Sequence, residues 1–232
     1  MTRALFIAGA GTEIGKTYVT AALTRRLRAE GRAVRALKPL ASGVPPVGDP
    51  AFAESDTGRL LAAQGLPLTP EAVEACSPWR FAAPLAPDLA AAREGRSLAL
   101  DDLVAWCRAR IAEATAGESV LIEGVGGLMS PITPAATGLD WLKGLRASGE
   151  GSAPLPVILV SGSYLGAISH ALTAIETLRA HALPLAAVAI SESFGAPTPP
   201  ETVAEAILSR IDAPVACLRR GADWPGAFPG LG

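Results

Sequence analysis

The sequence lacks the features that mark several other classes of protein. It has no run of about 18 apolar residues, so we expect no membrane-spanning helix. The N-terminus has no charged leader followed by a long apolar stretch and a cleavage site, so we expect no signal peptide and a cytoplasmic location. The net charge of −2 is made of mixed signs, which argues against a nucleic-acid groove or a membrane-binding face.

Cysteine and histidine are both scarce. Cys76, Cys107 and Cys217 are far apart and form no CxxC pair, so we expect reduced, mostly buried thiols. The two histidines, His170 and His181, fall in one predicted helix but too far apart to form a metal pair. The sequence also shows no Ser/His/Asp or Cys/His constellation of the kind that nucleophilic catalysis uses.

The 232 residues, half of them hydrophobic, suit one α/β domain over 1–232. Apolar strand-like runs alternate with helix-like segments, which predicts a mostly parallel central sheet with helices on both faces. The predicted strands are 4–8, 33–38, 119–123, 155–160, 185–190 and 213–217. The predicted helices are 16–30, 56–64, 101–116, 167–181 and 200–211.

Three stretches interrupt this alternation and are predicted to be loops. Residues 41–55 and 65–100 are rich in proline and in glycine or alanine, and they follow or lie near the carboxyl ends of strands. Ligands bind beyond those ends in open α/β sheets, so we expect these two stretches to border a site. Residues 144–154 are predicted to form a surface loop.

The strongest motif is Gly-Ala-Gly-Thr-Glu-Ile-Gly-Lys-Thr at 9–17. It follows a predicted strand and opens a predicted helix, which is the setting of a phosphate-binding P-loop, here in a relaxed form with Ala10. Its backbone N–H groups and helix N-terminus would cradle phosphates, Lys16 would reach the outer phosphates, and Thr17 would ligate Mg²⁺. We therefore predict a three-layer P-loop NTPase fold that binds ATP.

Three further charged residues fall at positions where either a functional or a plain structural role is open. Lys38 ends a strand beside the P-loop and is either a second phosphate-directed cation or a solvated lysine. Asp56 is either a Mg²⁺ ligand or a carboxylate at the N-cap or in the first turn of a helix. Glu123 ends a buried strand and is either a metal ligand of the Walker-B type or a solvated strand terminus.

Four segments together resemble the dethiobiotin synthetase family, over about residues 3 to 190. They are the P-loop, Lys-Pro-Leu-Ala-Ser-Gly at 38–43, the run 81–91 followed by Glu94-Gly95, and Glu-Gly-Val-Gly-Gly at 123–127 with the later 137–141. Each segment alone is moderately specific, but their order and spacing are highly specific. The start of the predicted helix after Leu165 is similar to the family's substrate-side helix.

The resemblance implies an ATP- and Mg²⁺-dependent ligase of biotin biosynthesis. In that reaction diaminopelargonic acid, CO₂ and ATP give dethiobiotin, ADP and phosphate through a carbamate and a carbamic–phosphoric anhydride. The resemblance also implies a homodimer with the substrate near the interface. Its alternatives are a related ATP-dependent amide ligase, or a P-loop ATPase switch. The switch would carry a lysine early in the P-loop, whereas positions 9–12 contain none.

The resemblance also assigns roles to single residues of this chain. The catalytic residues are Lys16 and Lys38, and the Mg²⁺ ligands are Thr17, Asp56 and Glu123. The nucleotide would be bound by Gly11, Thr12, Glu13, Ile14, Gly15, Lys16, Thr17, Tyr18, Glu123 and Ser191. The substrate would be bound by Thr12, Lys38, Ser42, Gly126, Gly127 and Ser169.

The chain departs from the family's usual residues at four places. Gly11 replaces an aspartate in the P-loop, Asp88 replaces a histidine, and Ser169 replaces an asparagine. Ser191 stands where the family usually has the asparagine that reads the adenine edge. A serine hydroxyl cannot make a bidentate amide contact, so this change predicts weaker selectivity for ATP.

Overall fold

The computed structural model describes residues 3–145 and 154–226. The centre of this part of the chain is a six-stranded parallel sheet. The strands in chain order are β1 (Arg3–Gly9), β2 (Val34–Leu37), β3 (Leu40–Ser42), β4 (Trp79–Phe81), β5 (Ser119–Glu123), β6 (Pro131–Thr133), β7 (Ala136–Thr137), β8 (Val157–Ser161), β9 (Leu185–Ser191) and β10 (Val215–Leu218). All six predicted strands are confirmed as members of the central sheet. The strand order in the central sheet is β10-β9-β8-β1-β5-β2, and the short pairs β3–β4 and β6–β7 lie outside it.

Helices cover both faces of the sheet, as predicted. One layer holds α1 (Lys16–Ala29), α2 (Asp56–Gln64) and α3 (Pro70–Cys76). The opposite layer holds α4 (Pro87–Arg93), α5 (Leu100–Ala112), α6 (Gly138–Gly144), α7 (Ala167–Ala180) and α8 (Pro200–Leu208). Along β1, Leu5 and Ile7 pack into the first layer, whereas Phe6 and Ala8 pack into the second. The period-2 alternation of side chains in a strand therefore supplies both cores from one sheet.

The predicted loops 41–55 and 65–100 contain more regular structure than expected. They include a 3₁₀ helix at Pro50–Glu54, the helices α3 and α4, and the strand β4. Pro50, Pro70 and Pro87 each stand in the first turn of a helix, where the missing N–H costs nothing. The prediction was wrong because these prolines begin helices instead of interrupting them.

Two predicted helices end earlier than expected. The helix predicted at 101–116 is α5, which ends at Ala112, and the helix predicted at 200–211 is α8, which ends at Leu208. The predicted loop 144–154 lies mostly outside the described residues, because 146–153 are not among them and α6 extends to Gly144. In the described part of the chain, no helix is both long and apolar enough to cross a membrane.

The strand order decides which loops meet. β1 lies between β5 and β8, and β5 lies next to β2. All these strands run parallel, so the segments that follow β1, β2 and β5 emerge at the same edge of the sheet. Those segments carry the P-loop, Lys38 and the residues after Glu123.

Candidate active site

The P-loop connects β1 to α1, and its close packing leaves no room for a side chain at two of its glycines. Gly15 has φ +92°, and a Cβ built on it would lie 2.3 Å from Ser191 Oγ. A Cβ on Gly9 would lie 2.8 Å from the carbonyl oxygens of both Gly11 and Gly126. The glycines therefore let the loop pack against the ends of β5 and β9 while its N–H groups stay available to an anion.

We predict that Gly15→Ala lowers the free energy of unfolding by about 2–4 kcal/mol, because it combines a left-handed residue with overpacking. Urea unfolding measures this loss. Gly31→Ala is the matched control, since Gly31 has φ +74° but a Cβ added to it would meet no described atom within 4 Å. Gly31→Ala should cost only about 1–2 kcal/mol. Equal losses in the two variants would show that Ser191 does not constrain the loop.

Lys38 lies at the centre of a buried ion cluster. Its side chain is 2% exposed, and Nζ lies 2.6 Å from Glu123 Oε1 and 2.9 Å from Asp56 Oδ2. Nζ also donates to the carbonyl oxygen of Gly124 at 3.0 Å. Thr17 Oγ1 donates to the same Glu123 oxygen at 2.6 Å, which ties the P-loop to this cluster. Lys38 is therefore not a solvated lysine, and Glu123 is not a solvated strand terminus, because both side chains are buried.

The charges in the cluster shift one another's protonation. Burial favours neutral Lys38, but the carboxylates of Glu123 and Asp56 outweigh it and raise the pKa of Lys38 above its ordinary value. Burial alone would raise the pKa of Asp56, yet chiefly Lys38 lowers it to about 2. Solvent screens part of that attraction, because the Asp56 side chain is 44% exposed. Burial first, and then the charge of Lys38, lower the pKa of Lys16 to about 8.

The donor set around Glu123 suits a hard divalent cation that also has phosphate ligands. Glu123 is fully buried, and its Oε2 atom has no hydrogen-bond partner among the described residues. Thr17 and Asp56 add a hydroxyl and a second carboxylate; Ser55 caps α2, and Asp56 stands in the first turn of that helix. Within residues 3–145 and 154–226 there is no group of three or more His, Cys, Asp or Glu that could hold a metal unaided. Mg²⁺ is commonly held by one or two carboxylates together with substrate phosphates.

Two adjoining cavities open at the P-loop. The first, of about 760 Å³, is lined by the P-loop together with Lys38, Ser42, Asp56 and Gly126. The second, of about 670 Å³, extends from the P-loop along the ends of β9 and β10 and reaches Ser191. Both cavities share Thr12, Glu13, Ile14, Gly15 and Tyr18. The pair can therefore hold an elongated ligand whose anionic part lies on the P-loop.

Gly11, Gly127 and Ser169 are among the residues predicted to bind ligands that line neither of these two cavities. Gly127 packs behind the P-loop, and its N–H donates to Ser130 Oγ at 2.8 Å. The carbonyl oxygen of Gly11 accepts a hydrogen bond from Lys16 Nζ at 3.1 Å. Ser169 is exposed on α7 and lines a third cavity of about 980 Å³, whose lining residues all lie outside the P-loop.

Arg59, Phe194 and Arg220 are among the residues that line the second cavity and were not predicted from the sequence. Arg59 also lines the first cavity and is bound to Glu54 through its Nε and NH2 atoms. No sequence motif marks any of the three. The only available signal was position, because Phe194 and Arg220 follow strands whose carboxyl ends face the site.

Comparison with known proteins gives the family. A family model described as an AAA domain matches residues 3–218. An ATP-dependent dethiobiotin synthetase BioD from Methylobacterium nodulans is 71% identical over 221 residues, which cover 95% of each chain. Relatives of the same name from Acidiphilium cryptum and Caulobacter sp. (strain K31) are 44% and 46% identical, and cover 94% and 95% of this chain and 94% and 90% of their own.

Solved structures support the fold. The chloroplast FtsY of Physcomitrella patens superimposes with a TM-score of 0.52 at 19% identity, over 93% of this chain and 57% of FtsY. The MinC:MinD cell division complex of Aquifex aeolicus gives a TM-score of 0.52 at 11% identity, over 94% of this chain and 81% of that one. These likenesses confirm the predicted P-loop NTPase fold. The sequence relatives identify more than the fold, and on their identity and coverage the chain belongs to the dethiobiotin synthetase family.

Proposed function

We propose that this protein joins diaminopelargonic acid and CO₂ to form dethiobiotin at the expense of ATP, within biotin biosynthesis. Besides family membership, one structural observation supports the proposal: the buried Lys38 ammonium, the P-loop and Ser42 all line the same 760 Å³ cavity. A cation held at that place faces both the outer phosphate of a nucleotide and an anionic substrate beside it. Phosphoryl transfer depends on such positioning and charge neutralisation.

The proposed reaction has three steps: carbamate formation, phosphoryl transfer and ring closure. One amine of the substrate adds to CO₂ and loses a proton, which gives a carbamate. A carbamate oxygen attacks the γ-phosphorus, the bond from that phosphorus to the β–γ bridging oxygen breaks, and ADP leaves. The second amine then attacks the carbonyl carbon of the anhydride, loses a proton and expels phosphate. Ring closure thus yields the cyclic urea of dethiobiotin.

The chain's own residues bind and orient the reactants. P-loop N–H groups and Lys16 hold the phosphates, as helix N-termini and lysines do in this fold. Glu123 and Asp56 hold the Lys38 ammonium where it faces the carbamate and the transferring phosphoryl group. Ser42 and Gly126, which line the same cavity, bind the substrate. Thr12 lies where both ligands meet, since it lines both cavities.

Mg²⁺ is the cation that the donor set fits, with Thr17, Asp56 and Glu123 as its protein ligands. The buried Oε2 atom of Glu123, which no described residue contacts by a hydrogen bond, supports this assignment. The metal neutralises charge on the transferring phosphoryl group when it is bound. Lys38 shares Glu123 and Asp56 with the cation, so its ammonium keeps both carboxylates paired before the cation arrives.

The active unit is proposed to be a homodimer in which α7 faces the partner. Leu165, just before α7, is 89% exposed, and Ser169 is exposed on the same helix. A second copy covering this surface would bury the leucine and bring Ser169 near a bound substrate. A cytoplasmic location is proposed as well, because Cys76, Cys107 and Cys217 are all free thiols, as is usual in a reducing compartment.

The direct test combines the purified protein with MgATP, bicarbonate and diaminopelargonic acid, and follows dethiobiotin by mass spectrometry and phosphate by a coupled assay. We expect equal amounts of both products, and no phosphate release without the diamine. Phosphate release without dethiobiotin would overturn the proposed reaction. Release that depended on DNA or lipid instead of the diamine would identify an ATPase switch.

A further inference from the structure

The second cavity has the size and position to receive the nucleoside part of a nucleotide held on the P-loop. Its volume is about 670 Å³, and five of its lining residues belong to the segment Thr12 to Tyr18. The rest come mainly from the segments that follow β9 and β10, namely Ser191, Glu192, Ser193, Phe194, Arg220 and Gly221. Among the described residues that line this cavity there is no asparagine or glutamine, so none of them offers a side-chain amide to pair with a base edge.

At and after the end of β9, Ser191 packs beside Gly15, while Glu192 and Ser193 accept hydrogen bonds from neighbouring loops. Ser191 is 6% exposed, and its hydroxyl lies where a side chain on Gly15 would have to be. Ser193 Oγ accepts from the N–H of Ser163, and Ser163 Oγ accepts from the N–H of Ser193, each at 3.0 Å. Glu192 accepts from the N–H of Arg220 at 2.8 Å. These bonds fasten the loops after β8, β9 and β10 to one another.

Phe194 and Arg220 offer a ligand in this cavity an aromatic ring and a guanidinium group. Phe194 is 88% exposed, although exposing a large apolar side chain to water costs free energy. The guanidinium carbon of Arg220 lies 5.6 Å from the centroid of the Phe194 ring. Both groups are flat and both stack on nucleobases, and such stacking accepts every base because each has a π-face.

We propose that this chain holds the nucleobase by its face, against Phe194 and Arg220, and therefore discriminates weakly between nucleoside triphosphates. The inference rests on the proposed ATP-dependent reaction and specifies its co-substrate. Phe194 and Arg220 become the residues that position the base, while Ser191 supports the P-loop. The kcat/KM values for GTP, CTP and UTP are expected to lie within roughly tenfold of the value for ATP, because stacking is tolerant of base identity.

Binding measurements on variants of Phe194 test the stacking itself. Phe194→Leu keeps an apolar side chain but removes the ring, and it should weaken MgATP binding roughly tenfold, whereas Phe194→Trp should preserve it. Arg220→Met should weaken MgATP binding severalfold. Magnesium tripolyphosphate has no base, so its affinity should be the same in all these proteins. Leu66→Ala is the control, because Leu66 is 47% exposed and lies outside the lining of both cavities.

The outcomes separate this inference from the proposed reaction. Dethiobiotin formed with ATP but more than about a hundredfold less efficiently with the other three nucleotides would overturn the inference and leave the reaction intact. Unchanged MgATP affinity in Phe194→Leu would also overturn it, and so would an equal loss of tripolyphosphate affinity. Failure to form dethiobiotin with any of the four nucleotides would overturn the proposed reaction itself.

Discussion

Replacing Lys38 with methionine is expected to lower kcat by about a thousandfold while the dissociation constant for MgATP changes only a fewfold. The ammonium group is 2% exposed and lies within 3.0 Å of three oxygen atoms, so its position is fixed before substrate arrives. A preorganised charge stabilises the transition state more than the bound nucleotide, and a loss of this kind therefore falls on kcat. Steady-state kinetics and calorimetric titration with MgATP measure the two quantities.

Loss of Lys38 also leaves Glu123 buried without its cation. The free energy of unfolding should fall by roughly 3–5 kcal/mol, as expected when one partner of a buried ion pair is removed. The double variant Lys38→Met with Glu123→Gln should recover part of that stability but none of the activity. Lys143→Met is the matched control, because Lys143 is 46% exposed and pairs with Asp140 on the surface. Wild-type turnover in Lys38→Met would remove Lys38 from the mechanism.

Replacing Lys16 with methionine is expected to impair binding and turnover together. Its ammonium lies at the P-loop, and in the proposed role it would contact the phosphates in the ground state as well as in the transition state. The dissociation constant for MgATP should rise by roughly tenfold or more, and kcat/KM should fall by about a thousandfold or more. The contrast with Lys38, whose loss spares nucleotide binding, distinguishes the two lysines. An unchanged nucleotide affinity would show that Lys16 does not reach the phosphates.

The lowered pKa of Lys16 gives this prediction a dependence on pH. In the free enzyme the side chain loses its proton as the pH rises through about 8, while a bound triphosphate favours the charged form. Nucleotide binding should therefore take up a proton near that pH and weaken as the pH rises further. Calorimetry in two buffers of different ionisation enthalpy measures the uptake. Lys16→Met should abolish the uptake, and an unaltered uptake in that variant would assign the proton to another group.

Much of the catalytic cluster could be predicted because strand ends are easy to locate. Buried runs ending in Lys38 and Glu123, together with a P-loop after β1, require only that their strands be neighbours in a parallel sheet. The strand order places β5 between β1 and β2, and the three segments meet. The spacing of residues could not decide the role of Asp56, which depended on the fold of the segment before α2.

The remainder could not be predicted because it depends on contacts between distant segments. Phe194 and Arg220 are separate in the sequence, and nothing in either segment shows that their side chains meet over one cavity. The resemblance assigns Ser191 to the nucleotide base, and the structure places Ser191 both in the lining of the second cavity and beside Gly15, a contact that the sequence does not reveal. The proline-rich segments show the same limit locally, because a proline in a first helical turn and a proline in a loop look alike until the capping contacts form.

The most direct test of phosphoryl transfer to a carbamate follows one oxygen atom. The enzyme would be incubated with MgATP, diaminopelargonic acid and ¹⁸O-labelled CO₂, and the phosphate released early in the reaction would be examined by mass spectrometry. If a carbamate oxygen attacks the γ-phosphorus and later leaves with it, each phosphate carries one oxygen from CO₂. Phosphate formed together with dethiobiotin but without the label would show that the carbamate is never phosphorylated.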